Sequence, residues 1–164
     1  MPHSIRPHIP GATVFFTVAL AQRGSNLLVH QVEALRQAVR LTRAAHPFEI
    51  NAWVVLPDHM HCIWTLPPGD DDFSTRMGAI KARFTRAVTG KVGLNPTLRS
   101  PSKVRKGDAG IWQRRFWEHH IRDAADFTAH QRACWQDPVR HGLVAQAADW
   151  PFSSWARDTQ AQAA

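Results

Sequence analysis

Tyrosine is missing from all 164 residues, so no chemistry that runs through a phenolic oxygen is open to this chain. Cysteine is scarce: Cys62 and Cys134 are the only two, each beside a tryptophan or an apolar residue. That excludes a disulfide framework and suits buried thiols in a cytoplasmic protein. No run reaches the roughly 18 apolar residues a membrane span needs, and no basic leader precedes an apolar stretch, so neither a span nor a secretory signal is expected. Zinc-finger spacing, a phosphate-cradling glycine loop and a dinucleotide glycine fingerprint are absent too. Acidic residues are outnumbered, 13 against 20 Lys and Arg, with ten histidines besides and a formal charge of +7. The partner this favours is a polyanion, nucleic acid before membrane, because the arginines are spread along the chain and form no single amphipathic anchor.

At 164 residues, with 44% hydrophobic and 20% charged residues, the chain can bury one core but not two ordinary domains. Its organising stretch is Leu56-Pro57-Asp58-His59-Met60-His61-Cys62-Ile63-Trp64. Apolar runs on both sides of Pro57-Asp58 predict strand, tight turn, strand. A period of two puts His59 and His61 on one face of the second strand, with Met60 and Cys62 on the other. Two adjacent imidazoles can hold one cation; a turn histidine beside a strand-edge histidine is the plainer alternative, but burying both without a partner would be costly.

Residues 1–12, rich in proline, predict an extended arm in which His3, Arg6 and His8 could touch phosphates. Thr13 to Leu20 has the β-branched and aromatic content of a central strand. Leu28, Val32, Leu35 and Val39 recur at helical spacing and predict one amphipathic helix over 27–45, with Arg36, Arg40 and Arg43 toward solvent. Strands over 48–56 and 59–66 follow. Asp71 or Asp72 then caps a helix with apolar Phe73, Met77, Ile80, Phe84 and Val88, and with Arg76, Lys81, Arg83 and Arg86 on its other sides, placed to hold a phosphate backbone near the histidines. Residues 91–110, with Lys103, Arg105 and Lys106, read as a basic loop suited to nucleic acid. "IWQRRFWEHHI" predicts the last strand, with Trp112, Arg114, Phe116 and Glu118 on one face and residues such as Arg115 on the other. A helix over 123–135 follows, which Pro138 cannot continue far. The folded unit is expected over 13–138, with 139–164 as a tail packing back on it. The element order predicts an α+β fold: a ferredoxin-like split βαββαβ antiparallel sheet with helices on one face, plus a C-terminal helix.

"VVLPDHMHCIW", "WQRRFWEHHIRD", "DPVRHGLV" and "DWPFSSW", in this order over roughly residues 5 to 155, resemble the REP-associated tyrosine transposases, relatives of the Y1 single-strand transposases. The resemblance implies a metal-dependent single-strand DNA endonuclease and strand-transfer activity on hairpin repeats. It implies a divalent cation, Mg2+ or Mn2+, held by His59 and His61 and by the residue matching the family's amide ligand, Asp137. It also implies DNA with a hairpin and a single-stranded flank as partner, contacted by Arg6, Arg76, Lys81, Arg83, Arg86, Lys103, Arg105, Lys106, Arg114 and Arg115, and a monomer or homodimer. The family's nucleophilic tyrosine falls on Ala133, on the C-terminal helix four residues before Asp137, so the chain is expected to be inactive as written, whether by loss or by replacement. The alternative is a non-enzymatic DNA-binding protein on the same fold; a hydrolase of small substrates sits poorly with the surplus of arginine.

Overall fold

In the computed structural model, residues 6–89 and 110–163 are described. Strand β1, Thr13–Ala19, forms the centre, because its alternating side chains are apolar on both faces: Val14, Phe16 and Val18 on one, Phe15 on the other. It pairs antiparallel with β3, His59–Thr65, which pairs antiparallel with β2, Glu49–Val55, while β4, Trp117–His120, lies on the other side of β1. The order β2-β3-β1-β4 is that of the ferredoxin-like split arrangement expected from the sequence.

Met60, Cys62 and Trp64 of β3 join Val14, Phe16 and Val18 in the larger core. Two helices cover this face: α2, Val32–Ala45, and α3, Phe73–Thr89. Phe73, Met77, Ile80, Phe84 and Val88 form the buried stripe of α3, and the Asp72 carboxylate caps its first turn by accepting from the Thr75 amide at 3.0 Å. The helix expected over 27–45 is interrupted at Gln31, which separates α1, Leu27–His30, from α2. The Leu28 amide bonds the Pro57 carbonyl at 3.1 Å, so the first turn is docked on the β2–β3 turn while α2 runs along the sheet.

Helix α4, Ala124–Arg140, covers the opposite face and packs Cys134 against Phe15, Ala52, Val54 and Ile63. The sheet is therefore enclosed on both sides, two helices against one. Contrary to expectation, Pro138 lies inside α4: in the last turn proline removes only the amide that would bond the Cys134 carbonyl, and the helix continues to Arg140. Gly142, at φ 69°, ends it in a Schellman motif, with the Leu143 amide on the Pro138 carbonyl and the Gly142 amide on Val139, both at 2.9 Å.

The strand expected over 111–121 is shorter than predicted. Trp112 makes one isolated bridge to Leu20, and regular pairing begins only at Trp117. Gln113, Arg114 and Arg115 between them are exposed, because consecutive charged side chains at a sheet edge stay hydrated and do not lie across it. Beyond α4, a 3-10 turn at Ala147–Asp149 leads to a segment along β2, where the Val55 amide bonds Phe152 and the Ser154 amide bonds Trp53, both at 2.8 Å. Helix α5, Trp155–Ala163, follows. No helix among the described residues is long and apolar enough to cross a membrane.

Candidate metal centre

The alternation of β3 that sends Met60 and Cys62 into the larger core turns His59 and His61 toward α4. There Asp137, one turn from the helix end, meets them. The Asp137 Oδ2 lies 2.9 Å from His61 Nε2 and 3.4 Å from His59 Nε2. His141, four residues on and so on the same side of the helix, brings its Nε2 to 3.5 Å from the same oxygen. Adjacent ligand atoms of an octahedral ion with bonds of roughly 2.1 Å lie about 3 Å apart. The ligand atoms of His59, Asp137 and His141 all lie within 4.8 Å of one another, which suits a shared cation, and His61 joins this group through its contact with Asp137.

Both strand histidines are fixed from behind. His59 Nδ1 is 2.6 Å from the Asp58 carboxylate, and His61 Nδ1 is 2.8 Å from Thr17 Oγ1, across the β1–β3 pairing in which Thr17 faces His61. Such outer contacts orient ligating imidazoles and leave each Nε2 for the metal side. Asp58 is in turn held by the Gly24 amide at 2.8 Å, where φ of 83° favours glycine. Burial works against the charged form of His59, but its bonds to Asp137 and Asp58 outweigh that and raise its pKa. Burial would also raise Asp137; the His59 and His61 bonds and the charges of His61 and His141 hold it well below the usual carboxylate range instead. An ionised carboxylate and oriented imidazole nitrogens form a donor set that can hold a divalent cation.

Ala133, half-buried on α4, stands one turn before Asp137 and offers only a methyl group. Its neighbour Cys134 is no substitute, because burial pushes that thiol far up and keeps it protonated.

The expected DNA-contacting residues divide sharply. Helix α3 does not flank the histidines; it lies on the other face of the sheet, because its apolar stripe packs on Met60 and Cys62. Arg76 is 3% exposed, and its guanidinium is spent on Asp70 and on the carbonyls of His46, Pro47 and Asp72. It ties α3 to the preceding loops and cannot reach a phosphate. Arg83 bonds Thr42, Lys81 bonds the Gln113 carbonyl, and Arg6 pairs with Glu118 and Ser74, while Arg86, Arg114 and Arg115 are exposed. Lys103, Arg105 and Lys106, with nearly all of the 91–110 loop, and His3 of the arm lie outside the described residues.

Sequence reasoning did not assign His141, Asp58 or Thr17. The first was detectable as the i,i+4 neighbour of Asp137 and the second as the residue beside His59, but Thr17 emerges only from strand register. It also missed a second cluster on the same face: His119 Nε2 is 2.9 Å and His130 Nδ1 3.1 Å from the Asp126 carboxylate.

No family model matches the chain. It is 49% identical over 153 residues to the REP-associated tyrosine transposase of Escherichia coli K12, covering 93% of this chain and 82% of that protein. The chain belongs to the REP-associated tyrosine transposases. A Haemophilus influenzae protein assigned to the same transposases is 38% identical over 159 residues, 96% of this chain and 87% of that one. A solved structure of a REP-associated tyrosine transposase bound to a REP hairpin superposes with a TM-score of 0.83 at 48% identity, covering 98% of this chain and 86% of the other. Within a transposase family named for its tyrosine, this chain carries none.

Proposed function

We propose that this transposase relative binds hairpin DNA with a single-stranded flank and holds Mg2+ or Mn2+ through His59, His61 and Asp137, at a strand-transfer site from which the nucleophile is missing. The observation that carries the reading is the meeting of His59 and His61 with the Asp137 carboxylate, with Ala133 one helical turn away. The hairpin bound by the solved relative and the +7 charge of this chain support the choice of DNA.

A divalent cation at such a site supplies charge neutralisation at a scissile phosphate and eases departure of the 3′ oxygen. The protein's own contribution is positional. Asp58 and Thr17 set the imidazole orientations, the Schellman end of α4 fixes Asp137, and Cys134 packs the helix onto the sheet. Ala133 has no oxygen to attack phosphorus, and an in-line displacement tolerates little misplacement of any substitute. The chain as it stands therefore binds but forms no covalent adduct.

The test is Ala133→Tyr, incubated with labelled hairpin DNA and manganese, followed by a denaturing gel and mass analysis. Cleavage with the 5′ phosphate attached to the new side chain is expected, and none for the unaltered chain. If the variant holds manganese and hairpin yet yields neither cleaved strand nor adduct, a dedicated DNA-binding protein on the same scaffold replaces the strand-transfer reading. Asp137 bears on this outcome, since its carboxylate adds a negative charge where the family's amide has none.

A further inference from the structure

Trp117 is the one aromatic side chain among the exposed large hydrophobic residues described, at 55% exposure. An indole left in water at the start of an edge strand gains nothing for the fold, and its surroundings give it a use. One face lies on the His119 ring, at 7° and 5.9 Å between centroids. His119 in turn stacks on His130, at 18° and 4.6 Å, and the Phe15 ring meets the Trp117 ring nearly at right angles at 5.7 Å. The indole is thus braced from beneath and from one edge, and its exposure belongs to the remaining face.

The bracing is itself locked. Asp126 accepts from His119 Nε2 and from the Arg122 amide, both at 2.9 Å, and these bonds hold its carboxyl well below the ordinary range. His130 Nδ1 faces the Asp126 main-chain carbonyl at 2.9 Å, the geometry of an N–H donor on a helix, so this nitrogen already has an acceptor. His119, Asp126 and His130 therefore read better as a rigid backing for the indole than as a second cation site.

The position of Trp117 relates it to the metal centre. Strand register aligns Val54, His61, Thr17 and Trp117 in a single cross-strand row. Trp117 and His61 are two strands apart on the same face, about 10 Å at the usual strand spacing. Phe15 bridges the gap, stacking on His61 at 15° and 5.5 Å. Exposed Arg114, Arg115 and Arg122 flank β4 in sequence and supply positive charge beside an apolar plate. A rigid, exposed aromatic face among cations is the recognition chemistry of an unpaired nucleobase.

We propose that Trp117 is a stacking platform for an unpaired base of the single-stranded flank, set so that the strand crosses the sheet face toward His59 and His61. This rests on the DNA-binding reading above and names a contact within it.

The experiment uses the unaltered full chain, Trp117→Phe and Trp117→Ala with two DNAs: a blunt hairpin and the same hairpin with a single-stranded 5′ flank carrying 2-aminopurine at successive positions. Stacked bases contribute enough for the Ala variant to bind the flanked hairpin about ten-fold more weakly in fluorescence anisotropy, while its affinity for the blunt hairpin is unchanged. 2-Aminopurine emission at one flank position should be quenched by the unaltered chain and by the Phe variant, and not by the Ala variant. Equal weakening on both DNAs, or quenching that survives in Trp117→Ala, overturns the platform. If the unaltered chain binds neither hairpin, the DNA-binding reading itself falls, and the platform with it.

Discussion

The two faces of the sheet are built by the same strands and do different work. On one, Val14, Phe16, Val18, Met60, Cys62 and Trp64 meet the apolar stripes of α2 and α3. On the other, one residue along in each strand, His59 and His61 meet Asp137 of α4 with Thr17 bonded behind His61, and the apolar cluster is much smaller. Alternation along β1 and β3 thus separates the larger core from the candidate site at a distance of one residue. A polar site can be carried on this sheet because the face behind it is so fully packed.

That division is open to test by mutating each face in turn. Phe16→Ala should cost about 3–5 kcal/mol, as expected for a fully buried aromatic removed from a packed core, and urea titration measures it. His61→Ala on the adjacent β3 strand should cost less than about 2 kcal/mol, because Asp137 keeps His59 as a partner. Equal losses would show that the polar face is as structural as the apolar one.

A smaller contrast lies within α3. Arg76→Ala removes a buried guanidinium and its bonds to three main-chain carbonyls, while its solvent-screened pair with Asp70 adds little, so a loss of about 2–3 kcal/mol is expected. Arg86→Ala, exposed on the same helix, should stay within about 0.5 kcal/mol of the parent. Both are read from urea midpoints.

The Arg76 pair also gives a pH signature. The Arg76 bond holds the Asp70 carboxyl at about 2, against an ordinary 3.8. A depressed carboxylate contributes stability that is present above 3.8 and lost as pH falls through about 2. The Asp70 side chain is 34% exposed, so solvent screens the pair and the step should be modest. Thermal melts between about pH 5 and pH 2 should show a shallower acid decline for Asp70→Asn than for the parent.

How much of this the sequence revealed follows from what each signal rests on. Local periodicity placed His59 and His61 on one face and fixed the element order, because strand alternation and helix spacing are properties of short windows. The family motif around Asp137 brought in the third candidate ligand. What stayed hidden depends on contacts distant in sequence. Arg76 looked like surface charge because nothing local shows that Asp70 and the carbonyls of His46 and Pro47 would enclose it. Helix α3 was set beside the histidines, but the pattern of an amphipathic helix does not say which sheet face it covers. Thr17 lies 44 residues from His61 and joins it only through register. Pro138 misled about the end of α4, since a breaker in the last turn costs one hydrogen bond and does not stop the helix.

A further effect is expected at His141. Its ring is about half exposed, yet its Nε2 stands with the ligand atoms of His59 and Asp137 within 4.8 Å, so His141→Ala should weaken cation binding about ten-fold. A loss as large as that of His61→Ala would make it a full member of the set.

The measurement closest to the central claim is calorimetric titration of manganese into the parent chain and into the His59→Ala, His61→Ala double variant, with circular dichroism to confirm that both are folded. One binding event in the parent and none in the double variant is the predicted result. Equal manganese affinity in the two would contradict the site and, with it, the assignment of chemistry to the α4 face of the sheet.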